Sequence, residues 1–254
     1  MSPHGFDEFY ARAFPGVLAA AILASGNRRD AEDAAQDAFI IALRRWDEVA
    51  GYDAPEAWVR KVALRQLARS GSRQRRGEQR MLEVTVPPQA TPAETAHARE
   101  VLAALATLPA PVRIALVACT VLGWTQPEAA EVLGVPRNTI ANRIFRGRAM
   151  LARRLGMDRE TAGAGDPLVP SLGYAARFAV LDEDPLGISL TSLADWLRAG
   201  IESDPEVAAR SWTRIVDPAA APRSLNRPSR WRFARRRTAG GYGEAGGDDA
   251  DLGR

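Results

Sequence analysis

The sequence predicts an all-α fold: two small helical domains joined by a flexible linker and followed by a partly disordered C-terminal tail. Three observations carry this. Apolar residues recur at helical spacing through residues 5–76 and again through 91–156. Two short stretches, "TPAE" and "TQPE", have the grammar of helix-opening capping boxes. Between the blocks, residues 77–90 ("GEQRMLEVTVPPQA") lack helical periodicity and contain a double proline.

The first helix is "FDEFYARAFPGVLAAAILAS", with Phe6, Phe9, Tyr10, Val17, Leu18, Ile22 and Leu23 as its apolar face and Pro15 as an expected break or bend. "RDAEDAAQDAFIIALRRWDEV" follows. Its acidic first turn (Asp30, Glu32, Asp33) suits the helix dipole, and Ala35, Phe39, Ala42, Leu43 and Trp46 form its buried stripe. After the loop "AGYDAP", Pro55 starts a basic helix in which Trp58, Val62 and Leu67 face inward and Arg60, Lys61, Arg65, Arg69 and Arg73 cover other faces. The linker over 77–90 would reach roughly 45–50 Å if extended. Thr91, Pro92 and Glu94 then open a helix that runs to about Leu108, and "PVRIALVACTVLG" supplies another.

Charge is unevenly spread. The net charge is +3, yet Arg60 to Arg76 holds seven basic residues and no acid, and Gly134 to Gly156 holds six arginines and no acid. Either block alone could be a solvated basic face; two in these contexts suit phosphate contact. Lys61 is the only lysine. The single cysteine, Cys119, excludes an intramolecular disulfide and a cysteine-cluster zinc site, and within "IALVACTVLGW" it reads as a small buried hydrophobe. That run is too short to span a bilayer, and "MSPHGFDEFY" lacks a secretory start, so the expected location is cytoplasmic. With His4 and His97 as the only histidines and no glycine-rich phosphate loop, no catalytic residues, metal or cofactor are expected.

Residues 125–151, "TQPEAAEVLGVPRNTIANRIFRGRAML", have helix-turn-helix spacing. Thr125 and Glu128 form the capping box, Ala130 allows close helix crossing, and Gly134 can supply the positive φ of the turn. In the second helix Ile140, Ile144, Gly147 and Leu151 share the inward face. The opposite face presents Asn138, Asn142, Phe145, Arg146 and Arg153, flanked by Thr139 and Arg143, with Arg137 at its start. Asn and Arg pair bidentately with adenine and guanine edges in the major groove. The expected duplex-reading set is Arg137, Asn138, Thr139, Asn142, Arg143 and Arg146. Phe145 suits either packing on a neighbouring helix or contact with a thymine methyl.

Taken together, "DAEDAAQDAFIIALRRW", "PEAWVRKVALRQLARSGSRQRR" and "LPAPVRIALVACTVLGWTQPEAAEVLGVPRNTIANRIFRGRAMLARRL" resemble regions 2.2, 2.3–2.4 and 4 of the extracytoplasmic-function (ECF) sigma factors, the smallest sigma-70 proteins. The resemblance covers about residues 6–156. It implies a non-enzymatic subunit that binds core RNA polymerase, reads the −35 and −10 promoter elements and opens the DNA. Residues 5–76 would be region 2, 77–90 the linker, 91–156 region 4 and 157–254 an extension of unknown role. By resemblance, Asp33, Gln36 and Asp37 contact the polymerase β′ coiled coil, from a helix whose acids and glutamine face outward. The β flap is a further expected contact. The loop Val49–Pro55 falls where the family holds a flipped base. Trp58, Arg60, Lys61, Arg65, Arg69 and Arg73 fall along the helix that follows the melted strand, although core packing is the preferred role of Trp58. The family often has phenylalanine at Pro55, asparagine at Arg65, lysine at Ala141 and serine at Asn142, so neither promoter element can be transferred.

A stand-alone helix-turn-helix regulator would need neither the acidic helix nor the basic helix upstream, and no constellation supports an enzyme such as a recombinase. The tail could act in cis by shielding a polymerase- or DNA-binding surface, add nonspecific nucleic-acid or acidic-lipid affinity, or be a passenger. An anti-sigma factor is the other candidate for control, and nucleoid association is expected within the holoenzyme. In the tail, Leu190, Leu193, Leu197 and Ile201 share one helical face, and Asp204 and Pro205 would open a helix containing Ala208, Trp212 and Ile215. Two such short helices cannot bury their apolar faces alone and should pack together or dock elsewhere. "RPSRWRFARRR" interleaves six arginines with Trp231 and Phe233, and "GGYGEAGGDDADLGR" is expected to be disordered.

Overall fold

A computed structural model describes residues 5–70, 85–157 and 184–217. Every regular element among them is a helix. Helix α1 (Phe6–Ser25) is apolar on nearly every side and is accordingly wrapped by neighbours: α2 (Arg28–Arg44), α4 (Pro55–Ser70), α6 (Ala110–Thr120) and the tail helix α9 (Pro185–Glu202) all pack on it. The expected interruption at Pro15 does not occur. The helix continues through it, and Pro15 is itself buried, so packing on several sides offsets the backbone hydrogen bond that proline cannot donate. Between α2 and α4, the single turn α3 (Trp46–Val49) seats Trp46 against Phe6 and Phe9, with ring centroids 5.1 and 4.8 Å away.

The second block contains α5 (Pro92–Ala106), α6, α7 (Gln126–Leu133) and α8 (Arg137–Arg154). Both capping boxes form as expected: Thr91 with Glu94 opens α5 and Thr125 with Glu128 opens α7. Gly134 ends α7 at φ 66°, a left-handed conformation that costs glycine nothing and turns the chain into α8.

The two blocks do not stand apart. One continuous hydrophobic core takes residues from both and from the tail. Arg113 of α6 acts as the cross-brace, 6% exposed, with Nε donating to the Ala24 carbonyl at 2.9 Å and Nη2 to Ser25. Its Nη1 donates to the Leu108 carbonyl at 3.0 Å. Burial pulls this guanidinium down to about 10, partly offset by Asp30. Gly26 makes room for it, since a Cβ there would lie 2.8 Å from the guanidinium carbon.

The tail forms two helices that dock on the rest of the chain. In α9, Leu190, Leu193, Leu197 and Ile201 are all at least 96% buried, at about 1.5–3 kcal/mol each. Gly200 lies so close to the Thr85 carbonyl that any side chain would collide with it. Helix α10 (Pro205–Ile215) lies against α1 and α2, burying Val207 and Ile215 and half-burying Ala208 and Trp212. The arginine cluster at 227–237, the glycine-rich terminus at 240–254 and most of the linker lie outside the described residues.

Candidate nucleic-acid interface

Helix α8 buries one face against α6 and leaves most of the residues expected to read duplex DNA toward solvent. Ile140, Ile144 and Leu151 are buried, and Gly147 lets Val112 and Leu116 of α6 approach its backbone. On the other side Arg137, Asn138, Asn142 and Arg146 are exposed, Thr139 and Arg143 are half-buried at the flanks, and Phe145 is half-buried. Four side chains that can donate to base edges or phosphates thus stand on a helix held firmly from behind. Arg148 belongs to the same basic block but points the other way. It is 1% exposed and forms a two-point ion pair with Asp184 at the N-terminus of α9. Reading the block by charge alone missed this. The signal was positional: Arg148 lies four residues after Ile144 and so shares the inward face.

On the basic helix α4, Trp58 takes the core position preferred for it from its spacing. Trp58 is 1% exposed, with Tyr52 tilted against it at 6.1 Å and the Arg45 guanidinium 5.4 Å from its ring. It is a core residue with no free face for a base, which removes it from the strand-facing set. Arg60, Lys61, Arg65 and Arg69 are half-buried. Arg60 pairs with Glu56, and Lys61 lies 5.9 Å from the Trp124 ring beside the helix-turn-helix. Burial, and then the like charge of Arg69, pull the Arg65 guanidinium below its ordinary range. Val62, expected inward, is half-buried, whereas Leu67 is 4% exposed. Arg73 lies outside the described residues. In the loop after α3, Ala50, Gly51, Asp53 and Ala54 are exposed, while Tyr52 is held inward by donating to Glu48 at 2.6 Å.

The acidic helix α2 brings the largest correction. Its acids and glutamine were expected to face outward, yet Gln36 is 9% and Asp37 5% exposed. The reason is α10. Gln36 Nε2 donates to Ser211 Oγ at 3.2 Å, and Arg214 reaches Asp33 at 3.5 Å. Trp212 stacks on Phe6 (centroids 6.0 Å, 25° between planes) and tilts against Tyr10 at 4.9 Å. The Tyr10 hydroxyl donates to the Ala208 carbonyl at 2.8 Å, and burial pushes this phenol far above its ordinary range, the hydrogen bond with Ser211 opposing the shift. Cys119 is 6% exposed, as expected, and its thiol is pushed up to about 12 by burial and then by Glu128. Among the described residues no helix is long and apolar enough to cross a membrane.

Among the described residues an acidic helix, a basic helix and a buttressed helix-turn-helix follow one another in the order that the resemblance to sigma factors implies. Comparison with known proteins agrees. The sigma-70 region 2 family matches residues 9–77 and the sigma-70 region 4 family residues 98–151. The chain is 31% identical over 153 residues to the ECF RNA polymerase sigma factor SigM of Mycobacterium tuberculosis, covering 60% of this chain and 78% of that protein. It is 32% identical over 166 residues to the ECF RNA polymerase sigma factor EcfG of Rhodopseudomonas palustris, covering 63% of this chain and 91% of that one. No solved structure gives a significant match. The chain belongs to the ECF sigma factors of the sigma-70 family.

Proposed function

We propose that the chain binds core RNA polymerase and directs it to promoters whose upstream element is read by α8 and whose −10 strand is captured by α4. The observation that carries this is the exposed row Arg137, Asn138, Asn142 and Arg146 on a helix backed by Ile140, Ile144 and Leu151. Thr139 and Arg143 flank that row. Arg60, Lys61, Arg65, Arg69 and Arg73 follow the non-template strand, where guanidinium groups both pair with phosphate and stack on bases. Asp33, Gln36 and Asp37 of α2 meet the β′ coiled coil, and the helix-turn-helix domain meets the β flap. The protein performs no catalysis of its own, acts in the cytoplasm and joins the nucleoid as part of the holoenzyme. Control comes from a separate anti-sigma factor or from the tail in cis.

Transcription from a cognate promoter, identified by mapping start sites after induced expression, tests the reading. Product is expected only when this chain and core polymerase are both present. Tight, specific binding to duplex promoter DNA without polymerase would favour a stand-alone regulator and overturn the proposal.

A further inference from the structure

We infer that α10 is a built-in competitor of core RNA polymerase: it occupies the face of α2 through which the chain docks, and it must leave before the holoenzyme forms. The inference rests on the proposal that Asp33, Gln36 and Asp37 make the polymerase contact. Two of these three side chains are held directly by α10, Gln36 by Ser211 and Asp33 by Arg214. The third, Asp37, is 5% exposed. A polymerase surface that recognises Gln36 and Asp33 needs the groups that α10 already holds, so the two occupants compete.

The fastening of α10 suits exchange, in contrast to that of α9. Helix α9 is held by a row of fully buried aliphatic side chains, by the close fit of Gly200 on the Thr85 backbone and by the Asp184 ion pair with Arg148. Helix α10 has eleven residues, and its N-cap Asp204 makes no side-chain capping bond. A helix this short is marginal in water without a surface to pack on. It buries two aliphatic side chains, Val207 and Ile215, against the four of the α9 row. Its one large aromatic, Trp212, is only half-buried, and the Arg214–Asp33 pair is partly exposed, at 38% and 25% of its side chains. The docked state also leaves a buried polar atom, Gln36 Oε1, with no hydrogen-bond partner among the described residues. A buried acceptor left without a partner weakens an interface, and a partner that satisfies it gains by doing so. Ser203 and Asp204 alone separate the two helices, so α10 can detach while α9 stays seated.

The Arg214–Asp33 pair makes the inference testable, because changing either partner breaks the same contact with opposite consequences. In the full chain, Arg214→Glu and Trp212→Ala free α2 and should tighten core polymerase binding by roughly tenfold or more, since apparent affinity falls with the fraction of molecules that are closed. Asp33→Arg also frees α10 but spoils the docking surface, and should weaken binding. In the wild-type chain, hydrogen exchange should show the amides of 205–215 losing protection on binding core polymerase while those of 190–201 keep theirs. If Arg214→Glu binds no more tightly and α10 stays protected in the holoenzyme, α10 is not a competitor, and the assignment of α2 stands. If Asp33→Arg added to Trp212→Ala, where α10 is already released, binds polymerase as well as Trp212→Ala alone does, α2 is not the docking helix and both ideas fall.

Discussion

Arg148 of the recognition helix and Asp184 at the head of α9 form a two-point ion pair, Nη1 to Oδ2 at 3.2 Å, with the arginine side chain 1% exposed. The same carboxylate accepts the Gly187 amide at 3.0 Å, so one side chain caps the tail helix and neutralises a buried cation. The contact joins a sigma-family DNA-reading domain to an extension that lies outside both matched family regions.

Replacing Asp184 with asparagine keeps a capping oxygen and removes the charge. Breaking a buried pair from one side costs about 3–5 kcal/mol, and Asp184 retains 20% exposure, which places the expected loss near 3 kcal/mol. Urea denaturation should show that loss for Asp184→Asn, and Arg148→Met combined with it should recover part of the stability. Equal stability of wild type and Asp184→Asn would mean the pair contributes nothing.

DNA contacts should divide between the helices. Arg146→Ala and Asn142→Ala should reduce use of promoters that depend on the upstream element by about 1–3 kcal/mol each. Arg65→Ala and Arg69→Ala should impair strand opening instead, and a template melted in advance at −10 should restore part of their activity. Identical behaviour of the two pairs on melted DNA would contradict the division.

The capping box of α7 predicts a pH signature. Hydrogen bonds from the Thr125 backbone and hydroxyl hold the Glu128 carboxyl below its ordinary value of 4.5, with some help from Lys61 and against a smaller opposing effect of burial. A carboxyl lowered in the folded state stabilises the fold above its unfolded pKa, and that contribution disappears as pH falls through the folded value. Glu128→Ala should therefore lower Tm at pH 7, and the gap to wild type should narrow as pH falls below the ordinary carboxyl value of 4.5. A gap that stays unchanged over the whole acid range in which the fold survives would rule out the charged capping bond as its origin.

Much of this protein was legible residue by residue. The capping boxes, the left-handed Gly134, the apolar stripe of α8 and the leucine face of α9 all depend on partners within one or two helical turns, and local spacing encodes such contacts directly. Exposure of the α8 reading face followed from the same periodicity. What α2 faces did not. A polar helix face carries the same pattern whether it meets water, another protein or its own chain, and the bond from Gln36 to Ser211 joins residues 175 apart in sequence. The partner that Arg148 meets, Asp184, and the joining of both domains by Arg113 likewise depend on which elements come to lie against them. Short-range spacing determined the helices and their faces; only tertiary packing decided which of those faces this chain covers itself.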